Sequence, residues 1–182
     1  MNLELGSLLN KAEQYKNVLN NTVLYRNAWH ESLKPLVKST LDEIIVRTGI
    51  KAEVKIQDKI ENLEAIVLDL GRSSSGITEN IEDSGVKRTM IKNNGSLIYQ
   101  QLFNGKIMVM IMSPHIEGYG EPKSPRMIEI LRPDELKIPF IIRHVETLLK
   151  EITDWEDYDD EEPSKTAIGF QPIGFNRTAD EE

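Results

Sequence analysis

Cysteine is absent from the 182-residue chain. Its absence excludes disulfides, thiolate zinc sites, iron–sulfur clusters and cysteine nucleophiles, and it suits a reducing compartment. Long apolar runs are missing too. The opening MNLELGSLLNKAEQYK has neither a basic lead nor an unbroken apolar segment, so it reads as neither a signal peptide nor a membrane span. Clustered basic charge is also lacking. The net charge is −8, and residues 154–182 carry all of it, with ten acids against Lys165 and Arg177. The remaining body is neutral and offers little to a phosphate backbone. These absences set the expectation of a cytoplasmic protein, or a virion protein if phage-encoded, with no membrane and no direct nucleic-acid partner.

Catalytic signatures are equally scarce. The stretch GRSSSGIT follows a strand-like run, but it lacks the Gly-x-x-x-x-Gly-Lys spacing of a phosphate-binding loop. Ser73, Ser74 and Ser75 do not occupy a Gly-x-Ser-x-Gly elbow. His115 and Glu117 could present two ligands on one side of an extended segment, but a metal needs three or four. Glu121, His144 and Glu146 cannot be brought to them by spacing alone. His30 and His144 sit beside apolar stripes and read as hydrogen-bonded boundary histidines. No catalytic residue, metal ligand or cofactor is assigned.

What is present is a clear change of period. In the first fifty residues Leu5, Leu8, Ala12, Tyr15, Leu19 and Thr22 recur at steps of three and four, which places them on one helical face. Trp29, Leu33 and Leu36 continue that stripe. Asn20-Asn21-Thr22 is expected to interrupt the helix, and Pro35 to kink it or open a new one. Val37, Leu41, Ile44 and Ile45 follow, and Gly49 ends the segment. From residue 51 the period becomes two. Residues 51–57 and 63–70 read as strands, and 71–85 as a long polar loop.

Asn94-Gly95 and Asn104-Gly105 then punctuate three strand-like arms, 86–93, 96–103 and 106–113. Two-residue Asn-Gly reversals at both sites predict a three-stranded meander. They pair Tyr99 with Met90 and Met110, Gln101 with Arg88 and Met108, Leu97 with Met112 and Phe103 with Lys106. One face then holds Met90, Leu97, Tyr99, Phe103, Met108, Met110 and Met112. The other holds Ile91, Ile98, Leu102, Ile107, Val109 and Ile111. Both faces are apolar and both are expected to be covered. After a Gly/Pro-rich loop, 127–131 reads as a strand and 133–155 as a helix, with Pro133-Asp134-Glu135 suiting a helix start, Pro139 opening its main part, and Ile141, Val145, Leu148, Ile152 and Trp155 on one side.

The expected fold is α+β, an antiparallel sheet of five to six strands flanked by N-terminal helices and one C-terminal helix. It divides into a single domain, 1–155 (helical 3–48, strands 51–131, helix 133–155), and an acidic tail, 156–182. Two triplets in that tail, Ile168-Gly169-Phe170 and Ile173-Gly174-Phe175, pair bulky apolar residues around a flexible glycine. Ile168, Phe170, Ile173 and Phe175 are therefore candidate partner anchors.

Three functions fit this pattern. The first is a non-enzymatic assembly subunit of a phage virion, secretion-type particle or other complex, with protein partners or further copies of itself. The second is a small-molecule-binding or hydrolytic domain whose pocket lies between loops 71–78 and 113–122, lined by Arg72, the three serines, His115, Glu117 and Tyr119. The third is an immunity-type or antitoxin protein whose acidic tail meets a basic partner.

Overall fold

The computed structural model describes residues 4–81 and 85–158. Ile168, Phe170, Ile173 and Phe175 lie outside the described residues. Helix α1 spans Gly6–Ala28 without the expected break, since the Thr22 hydroxyl donates back to the Val18 carbonyl within the helix. The break comes later. Pro35 has no N–H to offer the carbonyl of Glu31, and its ring crowds that oxygen. The backbone widens there into a π turn, Trp29–Leu33, closed by the Lys34 N–H on the Trp29 carbonyl. Helix α2, Lys34–Thr48, follows with Pro35 in its first turn and Gly49 as a left-handed cap at φ 69°.

Among the described residues there are eight strands, all paired antiparallel. They are β1 (Glu53–Gln57), β2 (Ala65–Asp69), β3 (Arg72–Asn80), β4 (Lys87–Asn93), β5 (Ser96–Gln101), β6 (Ile107–Met112), β7 (His115–Ile116) and β8 (Arg126–Leu131). Helix α3, Ile138–Glu156, closes the described chain. It starts at the Pro139 opening and not at Pro133. Pro133-Asp134-Glu135 instead forms a turn in which Glu135 accepts the Arg132 N–H and pairs with its guanidinium.

One sheet has the order β1-β2-β5-β6-β8 and the other β3-β4-β7. The two are parts of one bent ribbon. Asp69 faces Ser96 on one side of the bend and Arg72 faces Asn93 on the other, with no slip between them. The third arm behaves alike, since Ser96 faces Met112 and Asn93 faces His115. Counted as continuous arms, the strands are five. The expected polar loop 71–85 is therefore mostly strand β3.

Asn94-Gly95 is a corner, not a reversal. Gly95 takes φ 93° while Asn94 keeps an ordinary φ, so the type I′ turn, which needs both positive, does not form. The Asn94 amide donates to the Leu70 carbonyl and its oxygen accepts the Ser73 hydroxyl proton, which ties the two arms through the bend. The predicted pairings of Tyr99 with Met90 and Gln101 with Arg88 do not occur.

Asn104-Gly105 does reverse the chain, by a longer route. The Leu102 N–H bonds to the Lys106 carbonyl and the Gly105 N–H to the Leu102 carbonyl, leaving a three-residue loop with Gly105 at φ 78°. That is a type I turn with a glycine bulge. The extra residue moves the pairing by one, so Tyr99 faces Val109 and Leu97 faces Ile111. A one-residue slip exchanges the faces. Leu97, Tyr99, Ile107, Val109 and Ile111 share the buried side, and Ile98, Met108, Met110 and Met112 share the other.

Helices α2 and α3 cover the same side of the large sheet. Trp29, Leu33, Val37 and Leu41 from the helical arm join Ile66, Leu68, Leu97 and Tyr99 from the sheet and Ile141, Val145 and Leu148 from α3 in one buried cluster. The opposite side was expected to be covered, and among the described residues it is not. Met127 and Ile130 are exposed there, and Met108, Met110 and Met112 are half-buried.

The glycine bulge also seats α1. A β-carbon on Gly105 would lie 2.6 Å from the Tyr25 β-carbon and 3.0 Å from the Arg26 backbone nitrogen. Gly105→Ala is expected to cost roughly 2 kcal/mol or more, from a left-handed backbone plus a clash. Gly71→Ala, at φ 72° in open space, shows the conformational cost alone. Urea denaturation of the two variants separates these contributions, and equal losses would mean that α1 does not rest on the turn.

Gln101 is fully buried on the core side, and its side-chain amide has no hydrogen-bond partner among the described residues. A buried unpaired amide costs about 1–3 kcal/mol. Gln101→Met, of similar volume, is expected to raise the midpoint of thermal unfolding by several degrees, and a lower midpoint would contradict the accounting.

Candidate functional site

The residues proposed for a polar site do gather at one end of the molecule. Strands β3 and β7 flank β4, so Arg72 and His115 lie on either side of Asn93, about 10 Å apart across two strand spacings. Glu117 extends this row. Its N–H bonds to the Ile91 carbonyl, and its carboxylate lies 3.3 Å from the Arg72 guanidinium. Tyr119 turns back on Ile116 and shares a small recess with Pro114, His115 and Trp155.

The serines are spent locally. Ser73 donates to Asn94, Ser75 donates to the Met90 carbonyl, and Ser74 accepts the Gly76 N–H. The end therefore holds an exposed Arg72–Glu117 ion pair beside an imidazole. Among the described residues no cluster of three or more histidine, aspartate or glutamate side chains could hold a metal ion.

Two buried polar groups were not legible beforehand. His144 is fully buried, not at a boundary. Its Nε2 lies 2.5 Å from Glu129 and its Nδ1 lies 3.2 Å from the Tyr99 hydroxyl. A proton on Nε2 donated to Glu129, with Nδ1 accepting from Tyr99, satisfies all three groups. Glu64 is the second. Its carboxylate accepts from the Trp29 indole at 3.1 Å and from Lys34 at 2.6 Å. That anchors the helical arm to the sheet just where the π turn begins. An acid immediately ahead of the apolar run 65–68 was the available signal.

The most unusual surface is α1. Every residue from Glu4 to Asn21 is exposed. The exposed set includes Leu8 at 62%, Tyr15 at 65% and Leu19 at 49%. These belong to the stripe that Trp29 and Leu33 carry into the core. Contact with the body begins near Thr22, where the hairpin tip packs and Arg26 donates to the Phe103 carbonyl at 2.6 Å. The uncovered methionine side of the sheet is a second apolar surface. No described helix is long and apolar enough to cross a membrane. No protein-family model, curated protein or solved structure matches the chain.

The buried groups predict a pH profile. For Glu64, Asp69 and Glu129, burial alone would raise the carboxyl value. Their hydrogen bonds outweigh it, from Lys34 and Trp29, from Lys55 and the Gly71 N–H, and from His144 and Arg143, so all three lie below the ordinary range. Their contribution is complete above the unfolded carboxylate value and is lost as pH falls through the folded one. For His144, burial lowers the value and outweighs the pull of Glu129. The unfolded chain therefore takes up that proton first, and stability begins to fall below about pH 6.5. Thermal unfolding is expected to be flat between about pH 7 and 9, to decline from about pH 6.5 and to steepen below about 4.5. His144→Gln is expected to lose the first decline and keep the second.

Proposed function

We propose that the chain is a non-enzymatic interaction subunit that joins a larger assembly through α1. The observation that carries this reading is the apolar stripe that runs out of the core along α1 while every side chain from Glu4 to Asn21 stays exposed. A helix of 23 residues is about 34 Å long, and in isolation it is marginal in water. Asn10, Asn17, Asn20 and Asn21, which lie off the stripe, lower its propensity further. Covering the stripe would supply what the sequence of the helix does not.

The uncovered methionine side of the sheet and the anchors Ile168, Phe170, Ile173 and Phe175 serve in this reading as further contacts, in a cytoplasmic or virion assembly. Methionine suits a surface that must adapt to a partner. Less supports a ligand pocket at the β3–β4–β7 end, because Arg72 is engaged with Glu117 and the serine hydroxyls with the backbone or Asn94.

The double variant Leu8→Glu, Leu19→Glu tests the reading. In the source cell the wild-type chain is expected to migrate in native electrophoresis above its monomer mass. The variant is expected to migrate as a monomer with a nearly unchanged melting temperature, because both leucines are exposed. Persistence of the high-mass species would defeat the proposal. Truncation after Tyr158 asks the same of the tail, with partial loss expected.

A further inference from the structure

We infer that the occupant of the α1 stripe is the α1 of a second copy, packed antiparallel. This rests on the reading of α1 as the interaction arm and adds the identity and orientation of its partner. The stripe steps three and four over three heptads, with Leu5, Ala12 and Leu19 at one core position and Leu8, Tyr15 and Thr22 at the other. A seven-residue repeat is the pattern that two helices bury by interlocking their side chains, and a two-fold axis lets one stripe serve both partners.

The area is sufficient. Leu8, Tyr15 and Leu19 of the stripe, and Leu9, Val18 and Val23 along its flanks, are about half to two-thirds exposed. Covering them removes on the order of 700 Å² per copy, so a pair buries about 1,400 Å², within the range of stable protein interfaces. Charge allows the pairing, since Glu4 and Glu13 nearly balance Lys11, Lys16 and Arg26 along the helix.

Orientation follows from which residues meet. In a parallel pair each heptad layer meets its own copy. Tyr15 would then oppose the partner's Tyr15, Ala12 would oppose the partner's Ala12, and Lys11 would lie beside the partner's Lys16 as a like-charge pair at the flank. In an antiparallel pair centred between Ala12 and Tyr15, Tyr15 fills the space over the partner's Ala12 and Leu8 meets the partner's Leu19. Lys11 then lies beside the partner's Val18, and no two flanking charges of like sign meet. Large on small at the centre and leucine on leucine at both sides packs without gaps.

The absence of native cysteine makes the test clean. Leu8→Cys and Leu19→Cys proteins of different tag mass are purified, mixed and oxidised. The antiparallel pair predicts a mixed disulfide at least tenfold more abundant than either self-linked product, because like positions lie about 16 Å apart along the axis. Self-linked products from each variant alone, with no mixed preference, overturn the orientation.

Light scattering of the unmodified chain tests the partner itself. A dimer that dissociates on dilution is expected, and the Leu8→Glu, Leu19→Glu variant should be a monomer at every concentration. A wild-type monomer at about 100 µM overturns the second copy as occupant. If that variant still loses the cellular assembly, the arm reading survives with a different partner, and if it does not, both fall together. Circular dichroism of each variant confirms that the body has folded.

Discussion

One seam holds the molecule together, the line of Trp29, Leu33, Val37 and Leu41 laid across Ile66, Leu68, Leu97 and Tyr99. The helical side of that seam is fixed by the π turn that Pro35 forces, and it is locked to the sheet by Glu64 holding Trp29 and Lys34. Each fully buried aliphatic or aromatic side chain in such a seam contributes about 1.5–3 kcal/mol relative to exposure. The same stripe, continued toward the N-terminus, leaves the body, and no described residue covers it. The fold and the proposed function are therefore two halves of one sequence pattern.

Above the seam the sheet is organised by glycine. At Gly95 the ribbon bends without losing register, and at Gly105 it reverses with one extra residue. A β-carbon on Gly95 would lie 2.9 Å from the Met112 carbonyl, so the third arm presses on the corner itself. The bend carries β3, β4 and β7 away from the large sheet as a separate three-stranded end, bringing Arg72, His115 and Glu117 into one neighbourhood. Exposed ion pairs such as Arg72–Glu117 contribute little to stability.

Much of this was legible in the residues. Period-two alternation marks β1, the apolar run 65–68 marks β2, and Ile141, Val145 and Leu148 mark the buried side of α3. The antiparallel α+β class follows from strands that succeed one another without helices. The faces of β5 and β6 were not legible, because an Asn-Gly pair is compatible with a two-residue turn, a bulged three-residue turn and a corner. The choice depends on contacts with α1 at Gly105 and with Met112 at Gly95, which are distant in sequence. For the same reason 71–85 reads as a loop. Its polar residues, among them Ser73 and Ser75, make a strand only because β4 lies beside them and accepts their bonds. Of the candidate site, the proximity of Arg72, His115 and Glu117 was anticipated. The buried His144 and Glu64 groups were not, since burial of a polar side chain is set by the whole fold.

Hydrogen–deuterium exchange of the intact chain over a hundredfold range of concentration bears most directly on the central claim, that the α1 stripe is completed by another molecule. Backbone amides of residues 9–21 are expected to exchange within seconds in dilute solution and to gain protection as concentration rises. Protection in the body should stay constant. Amides in α1 that are equally protected at every concentration, or never protected at any, would contradict the account.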